Sequence, residues 1–213
     1  MKLRLAALAA VTLLSACRHT GELTSENGGG VYAVRSACPI LGVPAGTGDI
    51  TLFNPPESRD SRAIDVTAAI SDVRGACSDA GNDVVSTANF TVVGLRRDAG
   101  PARQVVLPYF DTAVQGGSRI VAKQLGQVVL NFPAGSLHAW TRVQSSVRVN
   151  RSVATLPANV AQVLTRPRKA GQADAAVDPL SDPAIRTAVA DATFEHLVGF
   201  QMTQDQLKYN ATR

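Results

Sequence analysis

Beyond residue 48 apolar and polar side chains alternate with a period of two. The plainest run sets Ile64, Val66, Ala68 and Ile70 against Asp65, Thr67, Ala69 and Ser71. Successive side chains of a strand point to opposite faces, so this pattern predicts a strand with one buried face. The stretches 48–53, 84–95, 104–114, 119–132 and 140–149 read as strands too, and Val and Thr are frequent in them. Breakers separate them: Pro55-Pro56, the turn 79–83, Asp98-Ala99-Gly100-Pro101, Gly116-Gly117 and Pro133-Ala134-Gly135. Pro108 lies inside one run and predicts an edge or a bulge, because proline donates no ladder hydrogen bond. Gly126 interrupts another.

The rhythm stops at 155–193, a stretch rich in Ala, Pro, Asp and Gln, with a short helix expected over 183–192. It resumes at Phe194, His196, Val198, Phe200 and Met202, which predicts a last strand with these residues on one buried face. Thr203 and Gln206 then have the spacing of a helix capping box. Six to eight strands joined by short turns imply an all-β fold: an antiparallel, immunoglobulin-like β-sandwich with a long, partly helical insertion before its last strand. The expected domain is 38–203, followed by a tail, 204–213.

The first residues have another pattern. Lys2 and Arg4 precede an apolar run, 5–14, that is shorter than the ~20 residues of a membrane-spanning helix. It ends in Leu14-Ser15-Ala16-Cys17, which resembles the lipobox of bacterial lipoprotein signals. The expectation is a signal peptide, 1–16, cut before Cys17, with acyl chains such as palmitate on that thiol. Several chains on one residue give stable anchoring, since each buried methylene contributes about 0.8 kcal/mol. Residues 17–37 are polar, contain Gly28-Gly29-Gly30, and read as a tether with a mean reach of roughly 25 Å. Arg18, not Asp, follows the cysteine. By resemblance to the sorting of other bacterial lipoproteins, this implies the outer membrane, facing the periplasm.

An apolar share of 45% suits one globular domain, whereas 5% aromatics argues against a stacking surface for single-stranded nucleic acid. The charge is uneven. From Thr112 to Ala173 there are eight bases (Arg119, Lys123, Arg142, Arg148, Arg151, Arg166, Arg168 and Lys169) and no acid. The favoured reading is that the acidic flanking segments neutralise this stretch. The sharper one is a positive surface meeting anionic lipid or an acidic partner. Arg166, Arg168 and Lys169, outside the strands, are the candidates for it. With Cys17 taken by lipid, Cys38 and Cys77 form an even pair in an oxidising compartment, where a disulfide is expected.

Catalytic signatures are missing from the sequence. It has no Gly-x-Ser-x-Gly elbow and no His-Glu-x-x-His. Gly46-x-Gly48 precedes no helix, and His19, His138 and His196 are scattered. His196, on an apolar face, reads as a packed structural histidine. No cofactor and no metal site is expected.

The lipobox, Cys38-Pro39, the strand end Ser71-Asp72-Val73-Arg74-Gly75-Ala76-Cys77, Leu107-Pro108-Tyr109-Phe110, Val121-Ala122-Lys123-Gln124 and the ending 198–210 (Val198-Gly199-Phe200-Gln201-Met202-Thr203 through Tyr209-Asn210) resemble a family of uncharacterised alphaproteobacterial lipoproteins. The resemblance covers most of the mature chain, and the ending is its most specific part. It implies a compartment and supplies no mechanism. The 155–193 stretch is longer than the family pattern. The function expected is therefore a membrane-tethered, non-catalytic interaction or envelope-assembly module. Its partners would be the membrane, through Cys17, and another envelope protein or anionic lipid. A small-ligand or glycan binder with 155–193 as a lid is the alternative, and an enzyme of unfamiliar type the second.

Overall fold

A computed structural model describes residues 36–166, 171 and 176–212. Cys17, the signal segment, most of the tether, Arg168 and Lys169 lie outside the described residues. The chain divides into two units, residues 1–34 with 165–177, and 35–164 with 178–213. The second is the sandwich.

The strands are β1 (Ile40–Gly42), β2 (Asp49–Phe53), β3 (Ile64–Ala80), β4 (Asp83–Arg96), β5 (Arg103–Gln115), β6 (Arg119–Phe132), β7 (His138–Asn150) and β8 (Phe194–Phe200). They form two four-stranded sheets, ordered β1-β8-β5-β6 and β2-β3-β4-β7. β4 and β7 are neighbours in one sheet, and their successors β5 and β8 are neighbours in the other. The B–E and C–F strands of the immunoglobulin fold interlock in this way. One pair departs from the antiparallel expectation: β1 runs parallel to β8.

The period-two reading holds strand by strand. β4 buries Val84, Ser86, Ala88, Phe90 and Val92 and turns Asn89, Val93 and Leu95 outward. Phe194, Val198, Phe200 and Met202 are all buried, as their alternation predicts. The main core joins Ile50, Val66, Phe90, Val92, Leu107, Leu130, Phe132, Val198 and Phe200. Each fully buried large side chain contributes about 1.5–3 kcal/mol. A second cluster, Ala113, Val147, Val149, Ala154 and Phe194, fills the other end.

Pro108 sits where the pairing of β8 with β5 stops, after Tyr109↔Phe200. Its carbonyl accepts from Gln201 N (2.9 Å), so its missing N–H faces the side on which β8 has ended. Gly126 does not interrupt β6. A Cβ there would lie 2.4 Å from the Tyr109 ring, so glycine is what lets the ring lie across the strand. Among its described residues the 155–193 insertion holds two α-helices. α1 (Ala158–Thr165) had no clear period in the sequence, whereas α2 (Pro183–Asp191) matches the expected helix and is capped by Asp182. The expected tail is helical, α3 (Gln204–Thr212). Thr203 N donates to Gln206 Oε1 (2.9 Å) and Gln206 N to Thr203 Oγ1 (3.2 Å), completing the capping box. Asn210 Nδ2 donates to the carbonyls of Gly46 (3.0 Å) and Asp49 (2.8 Å), and Tyr209 packs edge-on against Phe53, so α3 is fastened to β2.

Candidate functional site

The expected disulfide is present: Cys38 and Cys77 are bonded, with Cα atoms 6.0 Å apart. Cys38 precedes β1 of one sheet and Cys77 lies in β3 of the other, so the bond staples the two sheets along one side. Both cysteines are exposed.

Three polar side chains meet between the sheets. Ser86 of β4 lies 2.9 Å from Nδ1 of His196, and Nε2 of His196 lies 2.7 Å from Oδ1 of Asp111. An ionised Asp111 only accepts, so Nε2–H donates to it, and in that tautomer the Ser86 hydroxyl donates to Nδ1. These are the residue types of a hydrolytic relay. Their exposures are 2% for Ser86, 2% for Asp111 and 0% for His196. A nucleophile must come within about 3–3.5 Å of the atom it attacks, and a serine sealed between two sheets reaches no substrate. The group is a polar bridge tying β4 to β5 and β8. It makes His196 the structural histidine that its apolar face predicts.

Arg96, at the inward-facing end of β4, is also buried. Its Nε donates to the carbonyl of Ser136 (2.6 Å), Nη1 to Pro101 (2.8 Å), and Nη2 to Gly100 and Pro133 (both 3.0 Å). Its guanidinium also lies over the Phe132 ring. One cation thus gathers the β4–β5 and β6–β7 loops.

Among the described residues the bases of this segment do not form one face. Lys123 lies over Phe110 on the β1-β8-β5-β6 sheet, Arg142 lies over Trp140, and Arg148 is on the outward face of β7. Arg119 donates to Gln115, and Arg151 pairs with Asp79. Arg166 is exposed just past α1.

The outward face of β3, β4 and β7 has its own character. Register sets Ala69, Val93 and Trp140 in one row, Ser71, Thr91 and Arg142 in the next, then Arg74, Asn89 and Gln144. Trp140 is 64% exposed. Gln144 Nε2 donates to Asn89 Oδ1 (3.0 Å), and Arg74 is paired with Asp72. Among the described residues neither Arg142 nor Arg148 has a carboxylate partner. Two shallow depressions lie on this face, the first sharing Ala69 and Val93 with the Trp140 row. One, of about 430 Å³, includes Ala69, Val93, Leu95 and His138, and the other, of about 260 Å³, includes Arg74, Asn89, Arg142 and Gln144.

Parity could have found most of these groups. Ser86, Arg96, Asp111 and His196 all fall on the inward phase of their strands, and Trp140 and Arg142 on the outward phase. A charged or histidine side chain on the apolar phase is the signal for a buried network. Comparison with known proteins finds no match, whether to a protein family, a curated protein or a solved structure.

Proposed function

We propose that this chain is a lipid-anchored protein of the bacterial envelope, held by acyl chains on Cys17 at the outer membrane and facing the periplasm. There the sandwich acts by binding, as an interaction or envelope-assembly module. One contrast carries the reading. The residues suited to catalysis, Ser86, His196 and Asp111, are sealed between the sheets, while a broad outward sheet face carries an exposed indole and two bases that have no carboxylate partner among the described residues. Interfaces concentrate their binding energy in such Trp and Arg side chains. The anchor is supported by the Leu14-Ser15-Ala16-Cys17 array after a short apolar run. No helix among the described residues is long and apolar enough to cross a membrane.

The test is the intact mass of the chain purified from bacterial membranes. Cleavage before Cys17 with the added mass of acyl chains is expected, and Cys17→Ala should remain as uncut precursor. Normal maturation of that variant, or an unmodified Cys17 in the mature chain, would overturn the anchor.

A further inference from the structure

We infer that the outward face of β3, β4 and β7 is a binding platform for a carboxylate-bearing glycan, the polymer of the cell wall. The choice of that source rests on the envelope location proposed above. The chemistry rests on the face itself.

Trp140 is the chain's single tryptophan, and it stands exposed within a regular strand, near the start of β7, not in a loop. It packs against no core; the Arg142 guanidinium lies over one face of its ring, and the rest of its apolar area is open to a ligand. A sugar ring has an apolar C–H face that stacks on an indole, and a rim of hydroxyls that need both donors and acceptors. Around Trp140 the rows supply both, from Ser71, Thr91, Asn89 and Gln144.

Charge selects the kind of glycan. On β4 and β7 the outward positions from Val85 to Leu95 and from His138 to Arg148 include no acid. The carboxylates bordering these rows are Asp49, across from Ala69 and in the lining of the first depression, Asp72, paired with Arg74 in the lining of the second, and Asp83 at the far end. Arg142 and Arg148 are six residues apart on one strand, about 20 Å, which suits two acidic groups along an extended polymer better than one compact anion. A membrane is a poorer fit. The exposed apolar side chains here are Trp140, Val93 and Leu95, set among the polar Thr91, Asn89 and Gln144, too few for an apolar face that enters a bilayer.

The experiment uses the mature protein purified in detergent. It is mixed with isolated cell-wall sacculi, with sacculi whose carboxylates have been converted to amides, with polyglutamate, with DNA, and with anionic lipid vesicles. Muramidase-released wall fragments are added in parallel while Trp140 emission is recorded. Co-sedimentation with native sacculi and a shift in emission are expected. Affinity should fall about thirtyfold in Trp140→Ala, as for a central aromatic anchor, and stay within a few fold in Trp140→Tyr. Arg142→Gln with Arg148→Gln should lower it about tenfold, amidation of the sacculi should do the same, and both effects should shrink at high salt. Far-ultraviolet spectra of the variants check that they fold. Failure to bind native sacculi overturns the inference, as does equal binding by Trp140→Ala. Equal binding to polyglutamate or DNA also overturns it in favour of a general polyanion surface, and binding to vesicles alone in favour of a lipid surface. Absence of lipid on Cys17 would defeat the proposed anchor without changing sacculus binding. Lipid on Cys17 with no sacculus binding would defeat only this inference.

Discussion

Replacing Arg96 with methionine keeps an apolar stem of similar length against Phe132 and removes every donor. The four carbonyls it serves are not equivalent. Gly100 O also accepts from Gly135 N (2.9 Å), and Pro133 O from Ser136 N (3.1 Å), so both keep a partner. Ser136 O and Pro101 O have Arg96 as their donor and would be left without it. An orphaned buried acceptor costs about 1–3 kcal/mol, and each lost bond with a partner remaining costs about 0.5–1.5 kcal/mol. The upper ends do not apply, because Pro101 is exposed and Ser136 half-buried, so water reaches both carbonyls once the guanidinium is gone. The expected loss is about 3–4 kcal/mol in urea denaturation. Hydrogen exchange should accelerate first in 98–102 and 133–137, with the β4–β7 ladder keeping its protection. Arg96→Lys should recover less than half, since one ammonium cannot span four carbonyls in a fan. A loss under 1 kcal/mol for Arg96→Met, with unchanged loop exchange, would refute the idea that this cation gathers the loops.

Other outcomes follow from the same packing. His196→Phe leaves the Asp111 carboxylate buried beside an apolar ring and should cost about 3–5 kcal/mol by chemical denaturation, whereas Ser86→Ala should cost only about 1 kcal/mol. Equal effects would contradict the bridge. Reducing the Cys38–Cys77 bond opens a loop with a sequence separation of 39 residues and should lower stability by about 4 kcal/mol on the chain-entropy account. Because both cysteines are exposed, a mild reductant should act without prior unfolding, as alkylation and mass measurement would show. Burial, and then the charge of Asp111, raise the Tyr109 phenol above its ordinary value. The folded state therefore holds this proton where the unfolded state has released it. The contribution is intact below pH about 10 and is lost as pH rises through the folded value. Tyr109→Phe should flatten the decline of stability above pH about 10, and an unchanged decline would show that the phenol is not its source.

Much of the architecture was legible because a two-residue period has one physical meaning when one face is buried. It located seven of the strands within a few residues, along with the buried face of β8. In β3 the alternation is legible only to Ser71, although the strand end reads at Cys77 in the sequence and lies at Ala80 in the structure. Beyond Ser71 its inward positions, Gly75, Cys77 and Asp79, are not apolar, because one sheet edge there is closed by a disulfide and β1, not by a packed strand. The parallel course of β1 was not legible, because three residues carry no period and a parallel partner in sequence order leaves no turn signal. α1 was missed because 158–165 follows a polar loop and buries only Val160. The candidate site was visible only in pieces. His196 could be seen as buried, but Asp111 and Ser86, at separations of 85 and 110 residues, meet it only through the sheet order. Trp140 had a position and no surroundings until register placed Val93 and Arg142 beside it.

A photoreactive side chain placed at Ser146, on the outward face of β7, and in a second strain at Gln127, on the other sheet, tests the central claim most directly. Each variant is irradiated in intact cells, and the membrane fraction is examined for adducts. Adducts are expected from Ser146, vanishing in the Trp140→Ala background, and none from Gln127. Adducts from both positions alike, or from neither, would contradict a tethered module that works through this face.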